Sequence, residues 1–281
     1  MDRPSDLEAS EPALDDFYHA YPQIEEQFNA ALEVSLNPRG PEVLYKLVDE
    51  ARLPSTSTVL DLGCGEGKQC LELAQRYGFE VVGVDPVDRH INLSNERLSK
   101  AAEDDPGLRS RVRFTLGTAE KLPLDLETID LIWCRDVFSH VVKLEAAFAE
   151  CRRVLRQGGQ MLLYQMFATE MLEAKDADRV FRPLMVVSAD ASATEEAINA
   201  AGLHIDRCIV LGSEWGEYAE EKASKGTRSL IHAARLLRDP ARYIAQFGKT
   251  NYDIKVADCL WHINRMIGKL SGRIYVLSTA S

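Results

Sequence analysis

Across 281 residues, 44 Asp and Glu outnumber 33 Lys and Arg, which leaves a net charge of −11, and 46% of the chain is hydrophobic. That apolar share suits a sizeable core and excludes a disordered chain, while the acidic balance opposes a nucleic-acid backbone as partner. Six cysteines, at 64, 70, 134, 151, 208 and 259, form no Cys-x-x-Cys pair and no Cys/His cluster at ligand spacing, so no metal site is expected.

The first residues, MDRPSDLEASEP, hold no apolar stretch of signal-peptide type, and runs such as VVGV and MLLYQMF are too short to span a bilayer. With scattered thiols, this points to a cytoplasmic protein without membrane contact. A helical stretch follows over 14–36, rich in aromatics: Phe17, Tyr18, Tyr21 and Phe28. From 53 to 213 short apolar runs alternate with amphipathic ones. Strands are expected at 58–62, 80–85, 112–116, 129–134, 160–166 and 204–211, and helices at 68–77, 88–102, 144–155 and 193–201. Gly78, Pro106-Gly107, Gly158-Gly159 and Gly202 punctuate the returns to the sheet. Such alternation predicts a parallel α/β sheet covered on both faces.

Residues 214–272 break the alternation with a helical insertion. One face carries Leu230, Ala233, Ala234 and Leu237, and another Val256, Leu260, Ile263 and Ile267. A last strand is expected at 273–277. The domain reading is a helical cap over 1–52, a core of 53–213 plus 273–281, and a helical lid insertion over 214–272. Both extra segments are placed by this reading over the strand ends, where such sheets bind ligands.

The loop Asp61-Leu62-Gly63-Cys64-Gly65-Glu66-Gly67 closes a strand and opens a helix. It fails the dinucleotide pattern Gly-x-Gly-x-x-Gly because its third glycine comes one residue early. Gly67-Lys68-Gln69 also lacks the hydroxyl of a Walker loop. Asp61 and Glu66 would repel a pyrophosphate, yet they suit a ligand that carries an ammonium and a sulfonium.

This run resembles motif I of class I S-adenosylmethionine-dependent methyltransferases. Further matches follow in order. Val81-Val82-Gly83-Val84-Asp85 resembles the second strand, whose terminal acid accepts from the ribose hydroxyls. Gly117-Thr118-Ala119-Glu120-Lys121-Leu122-Pro123 resembles the adenine-side loop, with Thr118 where the family often has Asp. Asp130-Leu131-Ile132-Trp133-Cys134 resembles the fourth strand, and Leu155-Arg156-Gln157-Gly158-Gly159 the turn before the fifth.

The resemblance implies a Rossmann-like, seven-stranded, doubly wound sheet with its last strand antiparallel. It also implies S-adenosyl-L-methionine as cofactor, held by Asp61, Gly63, Cys64, Gly65, Gly67, Gln69, Asp85, Pro86, Thr118, Ala119, Glu120, Cys134 and Arg135. The segment after the fourth strand, Cys134-Arg135-Asp136-Val137-Phe138-Ser139-His140, is similar to that of phosphoethanolamine methyltransferases. If it coils, Asp136 and His140 share a face, and the carboxylate can orient the imidazole as a base. Tyr18, Tyr21, Gln165, Trp215 and Tyr218 are candidate substrate contacts. Asp258 and His262, around Trp261, read instead as a solvated pair on a surface helix.

The expected activity is methyl transfer to oxygen or nitrogen of a small-molecule acceptor. A C-methyltransferase and a silent S-adenosylmethionine-binding regulator remain open, and a homodimer is a candidate assembly.

Overall fold

The computed structural model describes residues 14–279. Seven strands form one sheet: β1 (Thr58–Leu62), β2 (Glu80–Asp85), β3 (Val112–Leu116), β4 (Ile129–Arg135), β5 (Leu155–Ala168), β6 (Leu203–Gly212) and β7 (Leu270–Thr279). Their order is β3-β2-β1-β4-β5-β7-β6. The first five pair in parallel, and β7 runs antiparallel to both β5 and β6.

The described chain divides after Pro38. The first unit holds α1 (Leu14–Gln23), a π-helical turn over Ile24–Phe28 and α2 (Asn29–Leu32). Pro22 lies inside α1. It lacks the N–H that would close the preceding turn, and the helix widens directly after it. Tyr18 and Tyr21 are exposed there, and the side chain of Phe17 lies outside the described residues.

In the second unit, α3 (Glu42–Ala51) buries Leu44, Tyr45, Leu47 and Val48 in the same core cluster as Val59 and Trp133 of the sheet. The sequence reading assigned this helix to the cap; its amphipathic stripe makes it part of the core instead. It ends at Arg52, in the left-handed region.

Around the sheet follow α4 (Lys68–Tyr77), α5 (Asp88–Asp104), α6 (Leu108–Arg111), α7 (Leu144–Val154), α8 (Ala174–Phe181) and α9 (Ala191–Ala200). Adjacent strand residues point to opposite faces and divide the core in two. Val59, Val81 and Leu131 pack with Leu71 and Leu73 of α4, whereas Leu60, Val82 and Ile132 pack with Phe148 and Cys151 of α7. The double winding therefore rests on near-continuous apolar strands.

β5 starts earlier than expected, because the predicted turn at 155–159 is a bulge within it. Ile129 pairs with Leu155 and Leu131 next pairs with Gln160, so the intervening residues loop out. Asp130 fills the irregularity, accepting from the Thr58 amide at 2.7 Å and from Arg156 at 2.7 Å.

The insertion forms α10 (Glu214–Ala223), α11 (Lys225–Arg238), α12 (Pro240–Phe247) and α13 (Lys249–Met266). Trp215 anchors it, packed at a tilt of 42° against Tyr164 of β5 with ring centroids 4.1 Å apart. Arg39 adds a clamp on α10, donating to Glu214 from its backbone amide at 3.0 Å and from Nε at 2.7 Å. Among the described residues no helix is long and apolar enough to cross a membrane.

Candidate active site

The glycine loop sits at the carboxyl end of β1, where its backbone is pinned to the next strand. The amides of Gly63 and Cys64 both donate to the Val84 carbonyl, at 2.8 and 3.1 Å. Gly63, Gly65 and Gly67 all have positive φ, of 73°, 52° and 77°. A Cβ on Gly63 would lie 2.2 Å from Val137, whereas one on Gly65 would meet nothing within 4 Å. Gly63 is thus a packing requirement and Gly65 leaves open space above the loop. Gly63→Ala is expected to cost roughly 2–4 kcal/mol through backbone strain and the clash. Adding Val137→Ala should recover only part of the loss in chemical denaturation; full recovery would mean that φ carries no strain.

That open space is a cleft of about 260 Å³. Of the predicted cofactor contacts it is lined by Asp61, Gly63, Cys64, Gly65, Gln69 and Arg135. Glu66, singled out in the sequence for its charge, completes it together with Lys68, Arg97 and Trp133, which were not predicted. Arg97 reaches across from α5 and clasps Glu66, donating to its carbonyl and its carboxylate at 2.9 Å each.

Asp61 is buried and accepts from the Cys70 thiol at 3.0 Å. Loss of water pushes its carboxyl up to about 6, against the thiol hydrogen bond and the nearby Arg135. The Trp133 indole N–H is buried without a hydrogen-bond partner. A solvent-deprived carboxylate, a guanidinium and an orphaned donor around a glycine-made opening suit a zwitterionic amino-acid group.

Asp85 closes the far side of the loop. Its Oδ2 accepts from the Gly65 amide at 2.9 Å, and its Oδ1 takes the Val87 amide at 2.9 Å and His90 Nδ1 at 3.0 Å. The other predicted contacts lie apart from the cleft wall. Gly67 caps α4 and faces Phe114, Cys134 is buried, and Pro86 and Thr118 are exposed with Ala119 and Glu120 beside the latter.

A second cleft, of about 330 Å³, opens beyond the end of β4. Asp136, Ser139 and His140 line it from the segment after β4, and Asp258, Trp261, His262 and Arg265 line it from α13. Asp136 and His140 are therefore brought together, but not as helical neighbours. Asp136 has φ of 61° and precedes a single 3-10 turn, Phe138–His140. The expected shared helical face does not form, and the imidazole is oriented by another group. His140 Nδ1 lies 3.1 Å from the Met185 carbonyl. That segment is stitched down by the Val187 and Ser188 amides, which donate to the Ser139 carbonyl at 2.8 and 3.1 Å.

Asp136 keeps 53% of its side chain open to the cleft. Its carboxyl still sits above the ordinary range, because protein replaces bulk water around it; Arg135, Arg265 and His140 pull it back down. Asp258 and His262 form the expected pair, with side chains 41% and 34% exposed, and this face of α13 also lines the cleft. His262 Nε2 lies 3.6 Å from Asp258 Oδ1. Burial holds this imidazole below its usual pKa, opposed by Asp258 and reinforced by Arg265.

Of the candidate substrate contacts, Gln165 is wholly buried and donates to the Ser188 carbonyl at 2.8 Å, which secures the cleft wall from behind. Trp215 is spent on Tyr164, and Tyr218 packs over Gly40. None of the three lines either cleft. Tyr18 and Tyr21 belong to the separate first unit.

Residues 60–163 match the family model described as a methyltransferase domain. Sarcosine/dimethylglycine N-methyltransferase of Aphanothece halophytica is 25% identical over 187 residues, 66% of this chain and 61% of that protein. Phosphoethanolamine N-methyltransferase 3 of Arabidopsis thaliana is 32% identical over 124 residues, 44% of this chain and 24% of that one. The chain thus spans less than two thirds of the length of these relatives. Among solved structures, phosphoethanolamine N-methyltransferase 2 of Haemonchus contortus aligns with a TM-score of 0.65 at 16% identity. That alignment covers 98% of this chain and 60% of that one.

Proposed function

We propose that this chain, which carries a class I S-adenosylmethionine-dependent methyltransferase domain, moves the cofactor's methyl group to a nitrogen or oxygen of a small molecule in the second cleft. One observation carries the reading: Arg135 and Asp136, consecutive at the end of β4, open onto the two clefts in turn. A ligand in the glycine-loop cleft and one beside the imidazoles would be neighbours.

When bound, S-adenosylmethionine supplies an electrophilic methyl group on a sulfonium. Asp61 would face its ammonium and Arg135 its carboxylate, with the Trp133 N–H as a further donor. Asp85 would accept from the ribose, and Thr118, Ala119 and Glu120 would flank the adenine.

His140 supplies the proton acceptor. In the tautomer that donates Nδ1–H to Met185, Nε2 has a free lone pair aimed away from the backbone. Nε2 would be placed to take the acceptor's N–H or O–H proton, the methyl carbon exchanging its bond to the sulfonium sulfur for one to that nitrogen or oxygen with S-adenosylhomocysteine as the leaving group. Asp136 lines the same cleft. His262, kept neutral by burial, lines the opposite wall. Two carboxylates against one guanidinium favour a neutral or cationic nucleophile, and the N-methyltransferase relatives put amines first among acceptors to try. The cytoplasm is the proposed compartment, supported by six cysteines that are all free thiols.

The test is release of S-adenosylhomocysteine and a 14-dalton mass gain on screening amines, phenols and sugars. Cofactor binding without product from any acceptor class would favour the silent regulator. His140→Ala is expected to lower turnover by about 10²–10⁴-fold and leave cofactor affinity unchanged. If affinity falls while saturated turnover holds, His140 is a cofactor contact. The same measurement on His262→Ala separates binding from chemistry: a raised KM at unchanged kcat marks a wall residue.

A further inference from the structure

Methyl transfer leaves a second opening in the lid unused. A cavity of about 480 Å³ lies among α11, α12 and α13, within the usual range for an organic ligand. Leu236, Tyr243, Phe247 and Tyr252 give it an apolar wall, and His232, Arg235 and Lys255 add cationic or protonatable heads. Among the described residues no acidic side chain lines it, although the chain carries a net charge of −11.

The frame is built. Ala233, Leu236, Val256 and Cys259 form a small buried core beneath, and the Tyr252 hydroxyl donates to the Leu236 carbonyl at 3.2 Å, tying α13 to α11. Helix α12 packs mainly on α13. Phe247 stays 55% exposed at the rim, an apolar surface with no protein cover.

One of these cations also reaches toward the other cleft. Lys255 Nζ donates to Asp258 Oδ2 at 2.7 Å, and Asp258 Oδ1 is 3.6 Å from His262 Nε2. Lys255 lines the lid cavity, whereas Asp258 and His262 line the cleft beside His140. Spacings of three and four residues put the three side chains on one side of α13.

We propose that the lid cavity binds a small amphiphilic anion, with an apolar body against the aromatic wall and one carboxylate or sulfonate head at Arg235 and Lys255. The head competes with Asp258 for the Lys255 ammonium. Asp258 is then freed to pair with His262, so occupancy of the cavity is felt in the second cleft. The binding itself does not depend on methyl transfer.

The whole chain is titrated with 8-anilinonaphthalene-1-sulfonate by fluorescence, then challenged with dodecanoate, dodecyltrimethylammonium or S-adenosylhomocysteine, the detergents kept below micelle formation. Binding of one equivalent is expected, displaced by dodecanoate alone and weakened about tenfold by Arg235→Gln or Lys255→Gln. These side chains are exposed, and unchanged circular dichroism confirms that both variants fold. Equal displacement by the cationic detergent, displacement by S-adenosylhomocysteine, half-equivalent binding between two copies, or full affinity in both variants overturns the site. Imidazole NMR tests the relay: dodecanoate should raise the His262 pKa by about one unit in the parent and not in Asp258→Asn. A shift that survives in Asp258→Asn, or none in the parent, overturns the coupling.

Discussion

Asp85→Ala is expected to weaken S-adenosylmethionine binding about a hundredfold and to lower Tm by roughly 5–10 °C, because one carboxylate holds the loop and, in the proposed function, would also hold the ligand. In the free protein it already accepts the Gly65 amide, the Val87 amide and His90 Nδ1. Two oxygens offer about four lone-pair sites, so a ribose hydroxyl can be taken up with His90 as the partner most easily displaced. The alanine variant strips the acceptor from the Gly65 amide in the glycine loop and the Val87 amide at the start of α5, and would remove it from a bound ribose. Calorimetric titration and thermal melts measure the two losses separately. Weaker binding with an unchanged Tm would leave Asp85 as a ligand contact only; an unchanged affinity would remove it from the cofactor site. His90→Ala should spare Tm and affinity by comparison, since the backbone donors keep their acceptor.

What could be read in the sequence follows from which forces are local. β1, β2 and β4 were placed almost to the residue because strands buried on both faces are near-continuous apolar runs bounded by turns, and the edge strand β3 by its β-branched and aromatic residues. The glycine loop was equally legible, since positive φ and the absence of Cβ leave few alternatives to glycine. α3 was absorbed into the cap although Gly40 and Pro41 mark its start, and it ends on a left-handed arginine rather than on the glycine usual at such an end. α8 was missed because it spans only Ala174–Phe181, about two turns, with Val180 buried and Ala177 and Phe181 packed beside it.

The second cleft was half legible. Asp136 and His140 stood out through their spacing, but the partner that orients His140 is the Met185 carbonyl, 45 residues on, and no local pattern encodes it. The α13 side escaped for the opposite reason. Locally, Asp258 and His262 look like an exposed helical pair, and only the return of α13 to β7 at Leu270 turns that pair onto the cleft. Trp133 reads as one more apolar strand residue, and its functional interest is a single N–H left without an acceptor.

Asp61→Asn should separate stability from binding. Burial lifts the Asp61 carboxyl from the ordinary 3.8 to about 6, so the folded chain pays to ionise it at neutral pH. A rise of about two units corresponds to roughly 3 kcal/mol against the folded state once the group is ionised in both states. The sign follows from proton counting. Between about pH 4 and 6 the folded chain holds a proton that the unfolded chain has released, so stability falls as pH rises through that window and levels off above it. An amide removes the charge and can still accept from the Cys70 thiol, which now donates to Asp61 at 3.0 Å. The variant should therefore melt higher than the parent at pH 7.5, with the gap closing toward pH 4. Cofactor binding should move the other way. A cationic ammonium repays the buried charge, so the parent's affinity should fall about tenfold per pH unit below 6, and the variant should bind about a hundredfold more weakly at pH 7.5 with little pH dependence. Melting curves and calorimetry at pH 4.5, 6 and 7.5 give both quantities. A lower Tm for the variant at pH 7.5 would mean that Asp61 is satisfied as an anion before any ligand arrives. Unchanged affinity would remove it from the ammonium site. The predicted combination, a more stable protein that binds less, would mark Asp61 as a charge kept at a cost in folding for the sake of its ligand.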